Sequence, residues 1–182
     1  MKFITTAIPD VILIEPVVYG DQRGFFMEVY QAKRFQEAGI GAEFVQDNHS
    51  GSSQGTLRGI HYQIRQAQGK LVRVVTGEVF DVAVDVRRSS PTFGRWVGHS
   101  LSADNRLQMW IPPGFAHGFY VVSEWAEIFY KASDYYSPQW ERTIAWNDPD
   151  LAIEWPLIDQ LPPLLSEKDV LGVPFRKAEV YS

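Results

Sequence analysis

The chain has 182 residues, 45% hydrophobic and 14% aromatic, with six Trp, eight Tyr, eleven Phe and no Cys. That length and composition suit one globular domain with a substantial core and exclude a disordered chain; the missing Cys excludes disulfides, thiolate metal sites and a Cys nucleophile. The formal net charge of -5 comes from 17 basic and 22 acidic residues spread along the chain, which argues against a broad nucleic-acid surface and leaves room for a basic pocket that takes a small phosphate ligand.

The opening MKFITTAIPDVILIEP is interrupted by Pro9, Asp10 and Glu15, so it lacks the continuous apolar core of a signal peptide. No run approaches membrane-spanning length, and a cytoplasmic protein is expected. In chain order, residues 11–19 and 25–30 read as strands, and residues 32–38, richer in helix formers and followed by Gly39, as a short covering helix. Residues 55–63 read as a further strand. In the stretch 71–87, Val82, Val84 and Val86 share one face while Asp81, Ala83, Asp85 and Arg87 share the other, the pattern of a half-buried strand. Thr76-Gly77-Glu78 breaks that stretch into two strands joined by a tight turn. Residues 93–101, 107–111, 119–122, 126–132 and 143–146 complete the series, separated by Gly, Pro, Asp or Ser. Many short strands imply a mainly β sandwich or barrel with few short helices. The chain shows no repeat and no long linker, so a single domain over 1–182 is expected, with a barrel core at about 10–147 and a tail, 148–182, that packs across it.

The four His stand at 49, 61, 99 and 117. Pro112-Pro113-Gly114-Phe115-Ala116-His117 resembles the second cupin motif, in which a turn ends one strand and delivers a His to the barrel interior. Arg58-Gly59-Ile60-His61-Tyr62-Gln63 sits where the first motif falls. In metal-binding cupins that motif offers two His one residue apart and then a Glu, because alternate strand residues converge on one side. Here Gln63 holds the second His position and residues 64–70 carry no acid. Two of four ligands are absent, so no catalytic metal is expected. His99, in the alternating run 96–101, reads as ordinary packing.

A closer match is carried by many blocks in order: Gly20-Asp21-Gln22-Arg23-Gly24-Phe25-Phe26, Phe44-Val45-Gln46-Asp47-Asn48-His49-Ser50, Leu57-Arg58-Gly59-Ile60-His61, Gln68-Gly69-Lys70-Leu71-Val72-Arg73, Gly77 to Asp85, Trp110-Ile111-Pro112, Gly114 to Phe119, Tyr130-Lys131, Tyr135-Tyr136-Ser137-Pro138 and Leu165-Ser166-Glu167-Lys168-Asp169. Over residues 6–169 the chain resembles the dTDP-4-dehydrorhamnose 3,5-epimerases, a cupin-superfamily group with a jelly-roll β-barrel. The resemblance implies a cofactor-independent isomerase that inverts C3 and C5 of a dTDP-linked 4-keto-6-deoxyhexose on the way to dTDP-L-rhamnose. A proton beside a carbonyl leaves only when a base faces it and the enolate oxygen is stabilised. The resemblance assigns His61 as base, Asp169 as its carboxylate partner, Tyr130 as the acid on the opposite face and Lys70 as stabiliser of the keto oxygen. Taken singly, Asp169 is also readable as a solvated charge, Tyr130 as barrel packing and Lys70 as a turn lysine.

The same register assigns Arg23, Arg58 and Lys168 to the diphosphate and neighbouring sugar, and Glu28, Gln46, Asp47, Asn48, His117 and Glu141 to further substrate contacts. It selects Tyr136, rather than Tyr135, as the aromatic that stacks on thymine. Because the family is dimeric and its N-terminal strands often join the partner's sheet, a homodimer is expected. Three other readings stand beside the double epimerase: a single-site epimerase of another deoxysugar pathway, a sugar ketoisomerase on the same scaffold, and a non-catalytic cupin that binds a sugar nucleotide.

Overall fold

In the computed structural model, which describes residues 1–182, strands follow one another with little else between them. In chain order they are β1 (Lys2–Thr5), β2 (Ile12–Glu15), β3 (Val18–Asp21), β4 (Gly24–Met27), then helix α1 (Ala32–Glu37), β5 (Gln46–Ser53), β6 (Leu57–Gln63), β7 (Lys70–Thr76), β8 (Glu78–Asp85), β9 (Trp96–Ser102), β10 (Gln108–Ile111), β11 (Phe115–Val121), β12 (Trp125–Ala132), β13 (Glu141–Thr143) and helix α2 (Glu167–Val170). Six form one sheet in the order β1-β2-β10-β7-β12-β5, five form another in the order β13-β6-β11-β8-β9, and β3 and β4 make a separate hairpin. The pairings are antiparallel throughout.

The two large sheets face each other across one apolar interior. Val72 and Val74 of β7 and Met109 of β10 meet Val79 and Ala83 of β8, Val97 of β9 and Phe119 of β11. Burying each of the larger side chains contributes roughly 1.5–3 kcal/mol, and this shared layer makes the sandwich the stable solution. The outer surfaces are covered too. Phe35 of α1 packs with Ile14, Leu71 and Trp110 over the six-stranded sheet. Across the five-stranded sheet, Ile144, Leu151 and Trp155 of the C-terminal region cover Leu57, Ile60, Val82, Val84 and Val86. The tail therefore packs across the sheet, as its loose apolar pattern implies.

Several elements differ from the sequence reading, each for a local reason. Residues 11–19 are two strands, because Pro16 has no N–H to give a ladder and falls between β2 and β3. The turn at Thr76-Gly77 does not make a hairpin; β7 and β8 lie in different sheets, and the chain crosses between them at Gly77. A Cβ there would stand 2.0 Å from the Trp125 carbonyl oxygen at a φ of +74°, so only glycine makes this crossing. Nor is β8 half-buried: Asp81, Ala83 and Asp85 are as fully buried as Val82 and Val84. The face read as solvated points into the interior, while the valine face lies beneath the tail. Strands β1 and β5 escaped the reading altogether. β5, with the sequence QDNHSGSS, has no apolar alternation, because its inward residues face a cavity rather than packed side chains. No helix is long and apolar enough to cross a membrane.

Candidate active site

Strand β6 sets the geometry. Leu57 and Arg58 pair with Tyr120 and Phe119 of β11, yet His61 pairs with His117, so β6 carries one residue more than β11 between these contacts. This is a β-bulge. It turns Arg58 and His61, three residues apart, toward one cavity, while Leu57 and Ile60 both pack beneath the tail. Gly59 makes the bulge sterically possible: a Cβ on it would meet Gly118 Cα at 2.5 Å. Its N–H donates to Asp169 Oδ1 (3.2 Å).

The same oxygen lies 2.5 Å from His61 Nε2. Ser166 Oγ, which caps α2, donates to Asp169 Oδ2 at 2.6 Å. Burial alone would raise the Asp169 carboxyl, but the hydrogen bonds from His61 and Ser166 outweigh it and hold the pKa down at about 2. An ionised carboxylate accepts, so His61 carries its proton on Nε2 and leaves Nδ1 as a bare lone pair. Burial holds the ring's pKa below its ordinary value; Asp169 pulls it back up and the Lys168 cation adds to the lowering. The imidazole is thus neutral near pH 7, with side-chain exposures of 18% for His61 and 3% for Asp169.

The cavity, about 400 Å³, is closed on the other side by the six-stranded sheet, which brings Lys70 of β7 and Tyr130 of β12 to face His61. Lys70 Nζ lies 6.0 Å from the Tyr130 ring centroid. Burial draws the Lys70 ammonium down to about 8, against the pull of Glu141 and Asp81, and burial with the Glu141 charge raises the Tyr130 phenol. Neither side chain makes a hydrogen bond to the protein: like His61 Nδ1, the Lys70 amine and the Tyr130 hydroxyl are left for whatever enters. At the mouth, Lys168 Nζ donates to Glu141 Oε1 (2.9 Å) and Tyr136 Oη to Glu141 Oε2 (3.1 Å). Gln46 accepts from the Tyr136 backbone N–H and donates to Asn48, both at 2.9 Å.

The residues do not fit a cupin metal. Gln63 Nε2 donates to the carbonyls of Gln66 (2.7 Å) and Tyr135 (3.2 Å), and its Oε1 accepts from the Ser137 N–H (2.7 Å). No three His, Cys, Asp or Glu side chains converge closely enough to hold an ion.

The profile of the dTDP-4-dehydrorhamnose 3,5-epimerase family matches residues 5–177. The chain belongs to this family. It is 63% identical to the dTDP-4-dehydrorhamnose 3,5-epimerase of Pseudomonas aeruginosa over 182 residues, covering 100% of this chain and 99% of the relative. Its fold superposes with a TM-score of 0.95 on the dTDP-6-deoxy-D-glucose-3,5-epimerase of Legionella pneumophila, solved with dTDP-4-keto-L-rhamnose, at 54% identity over 98% of this chain and 94% of that one. A 3'-monoepimerase of Streptomyces bikiniensis, solved with dTDP-quinovose, matches at a TM-score of 0.88 and 35% identity over 95% and 87% of the two chains.

Of the epimerase candidates read from the sequence, His61, Tyr130, Asp169, Lys70, Gln46, Asn48, Arg58, His117, Tyr136, Glu141 and Lys168 all line this one cavity. Three do not. Asp47 points to the outer face of β5 and pairs with Lys131 (2.9 Å). Arg23, at the tip of the β3–β4 hairpin, pairs with Asp21 (2.5 Å), and Glu28 pairs with Arg34 (3.1 Å). Two residues with a direct bearing on the site were missed: Ser166, which holds Asp169, and Asp81, which lies 2.8 Å from His117 Nε2. The signal for Asp81 was a carboxylate in the middle of the apolar run Val79 to Val84. Tyr135 is exposed and lies outside the cavity, whereas Tyr136 lines it. His99, on the inner face opposite Asp81 in β9, also lies outside the cavity.

Proposed function

We propose that the protein epimerises dTDP-4-dehydro-6-deoxy-D-glucose at C3 and C5 to dTDP-4-dehydro-L-rhamnose, without a metal or other cofactor, in dTDP-L-rhamnose biosynthesis. The observation that carries this is the His61–Asp169 couple, whose free Nδ1 opens on the same cavity as Tyr130 and Lys70. His61 Nδ1 takes the proton from the carbon beside the ketone, and Asp169 stabilises the imidazolium that forms. Electrons move onto the keto oxygen, where the Lys70 ammonium favours the enolate over the ketone. Tyr130, on the opposing sheet, returns a proton to the other face, and that opposition produces inversion. Exchange with solvent takes the proton from His61 and restores one to Tyr130, and repetition at the second carbon completes the reaction. Arg58 and Lys168 bind the diphosphate, Gln46, Asn48, His117 and Glu141 hold the sugar and nucleotide, and Tyr136 stacks on the thymine.

The functional unit in this reading is a homodimer. The β3–β4 hairpin exposes Tyr19, Phe25 and Phe26 at 65%, 60% and 69%, an apolar surface that a second copy would cover. β5, which lines the cavity, is an unpaired sheet edge. A partner's hairpin laid against that edge would bring its Arg23 and Glu28 toward the nucleotide, which accounts for two candidates that do not reach the cavity of their own chain.

A single-site epimerase is the competing reading, favoured by the structural likeness to the Streptomyces bikiniensis 3'-monoepimerase. The higher identity to the double epimerases weighs against it. The test is NMR of chelator-treated protein with dTDP-4-keto-6-deoxyglucose in deuterated water, a reductase being added afterwards to trap product. Deuterium at both C3 and C5 with trapped L-rhamnose is expected. Label at one carbon would establish the single-site enzyme, and no label would remove the epimerase reading.

A further inference from the structure

His61 and His117 are register partners on adjacent strands and share the cavity-facing side of the five-stranded sheet. Each ring gives Nε2 to a carboxylate, at 2.5 Å from Asp169 and 2.8 Å from Asp81. Neither Nδ1 has a protein partner. These two His–carboxylate couples lie side by side on one sheet, and the proton chemistry above uses one of them.

Asp81 is an unexpected residue to find where it is. It sits in β8 on the inner face, fully buried, between Val79 and Ala83, which pack in the core. Its Oδ1 meets His117, but its Oδ2 is buried with no hydrogen-bond partner. A buried carboxylate with one oxygen unpaired is costly, and a small apolar residue such as the neighbouring Ala83 would fill the space without that cost. On the far side, His99 faces Asp81 in register across β9 but donates nothing to it. The one bond the Asp81 side chain makes is to His117.

We infer that Asp81 is a positioning residue: by accepting from Nε2–H it locks His117 into the tautomer whose bare Nδ1 faces the cavity, making the ring a fixed acceptor for a hydroxyl of the substrate's sugar. This rests on the epimerase reading for the identity of the sugar. The rest of the lining explains why such an acceptor is needed. Lys70, Arg58 and Lys168 are cations that suit phosphate and keto oxygens, and Glu141 is already engaged by Lys168 and Tyr136. With Nε2–H held by Asp81, a lone pair on the inward Nδ1 takes a hydroxyl hydrogen and rejects a carbonyl or phosphate oxygen, which helps fix which way the ring lies before His61 acts.

The test combines ring-nitrogen NMR of the resting protein with kinetics of Asp81→Asn. In the wild-type protein, the His117 spectrum should show a protonated Nε2 and an unprotonated Nδ1. In Asp81→Asn the amide can turn its NH₂ toward the ring, so a substantial Nδ1–H population should appear. Loss of one hydrogen bond made equally to substrate and transition state should raise KM about tenfold and leave kcat within about threefold. The pH limbs of kcat/KM, set by His61 and Lys70, should stay in place. A His117 proton on Nδ1 in the wild type overturns the inference, and so does an altered tautomer with an unaltered KM. The wild-type spectrum needs neither turnover nor a folded variant: a wild-type protein that releases no substrate proton would refute the epimerase reading, while the tautomer lock would still be judged on its own evidence.

Discussion

Replacing Asp169 by Asn removes one charge while keeping the shape of the side chain. The amide oxygen can still accept from His61 and from Gly59 N–H, and the amide nitrogen can donate to Ser166 Oγ, so the local fold should survive. What is lost is the anion facing the imidazolium. With charge centres about 4 Å apart and an effective dielectric of about 20, that attraction is about 4 kcal/mol, part of which a neutral hydrogen bond retains. Without Asp169, burial and the Lys168 and Lys70 cations act on the ring unopposed, and all three lower its pKa. If the amide turns over, its NH₂ meets Nε2 and forces the proton onto Nδ1, the atom that must be bare. Together these effects predict a fall in kcat/KM of roughly 10²–10⁴-fold. The assay is the initial rate of deuterium uptake at C3 and C5, with thermal unfolding as the control for structure. A folded Asp169→Asn protein that exchanges within tenfold of wild type would show that His61 needs no anionic partner, and the base assignment would fail with it.

His61→Ala should abolish exchange with the fold intact, while Tyr130→Phe should separate proton removal from inversion, so that deuterium still enters but the L-sugar fails to form; full L-rhamnose trapping by the Tyr130 variant would remove it from the acid role. For the free enzyme, kcat/KM should rise along an acid limb below pH 6.5, because burial lowers the His61 pKa, and fall through about pH 8 as the Lys70 ammonium loses its proton; a Lys70→Arg variant that keeps the alkaline limb would exclude Lys70 as its source. Phe26→Asp, on the exposed hairpin, should convert a dimer to a monomer in light scattering and raise KM without unfolding the sheets; a monomeric wild type would refute the assembly. Asp85, fully buried and bonded to Arg87, Ser90 and Thr92, has its carboxyl held at about 2 against the upward push of burial. A lowered native pKa stabilises above the unfolded value and loses that contribution as pH falls through the native one. Acid should therefore weaken the fold between about pH 4 and pH 2, and Asp85→Ala should lower stability at pH 7 by about 3 kcal/mol, measured by denaturant titration; an unchanged midpoint would contradict the pairing.

The legible parts of this molecule are those where one physical demand dominates a stretch of sequence. Strand β12 alternates because one side meets the core, and α1 reads as a helix because helix formers are followed by Gly39. The convergence of eleven candidate side chains on one cavity was legible as a set, because several in-order blocks carry them. What stayed hidden answers to demands from elsewhere in the chain. β5 looks like a loop because a cavity, not packing, lies against its inward face. β8 looks half-solvated because nothing near it announces that the tail will cover its valines. The bulge at Gly59 breaks the two-residue period, so strict alternation would have sent Arg58 and His61 to opposite faces. The hairpin with Arg23 reads as surface within one chain, and a second copy is what would give its exposed aromatics a partner.

Gln63 shows how far one substitution alters what the scaffold can do. It occupies the position where a metal-binding relative in the wider superfamily offers its second imidazole, and a plain reading treats the amide as a lost ligand. In the structure the amide has a different task. Its two N–H bonds and one accepted bond tie β6 to Gln66, in the loop before Lys70, and to Tyr135 and Ser137, on either side of Tyr136. An imidazole offers one donor and one acceptor in the neutral form and could not make all three. Keeping a metal ligand here would therefore release two segments that carry residues to the cavity. In the proposed mechanism the positive charge beside the keto oxygen comes from Lys70, which stands at the end of the segment that Gln63 holds. On that proposal the amide and the ammonium form one arrangement: the first fixes the loop before β7, and the second, at the start of β7, supplies charge to the keto oxygen.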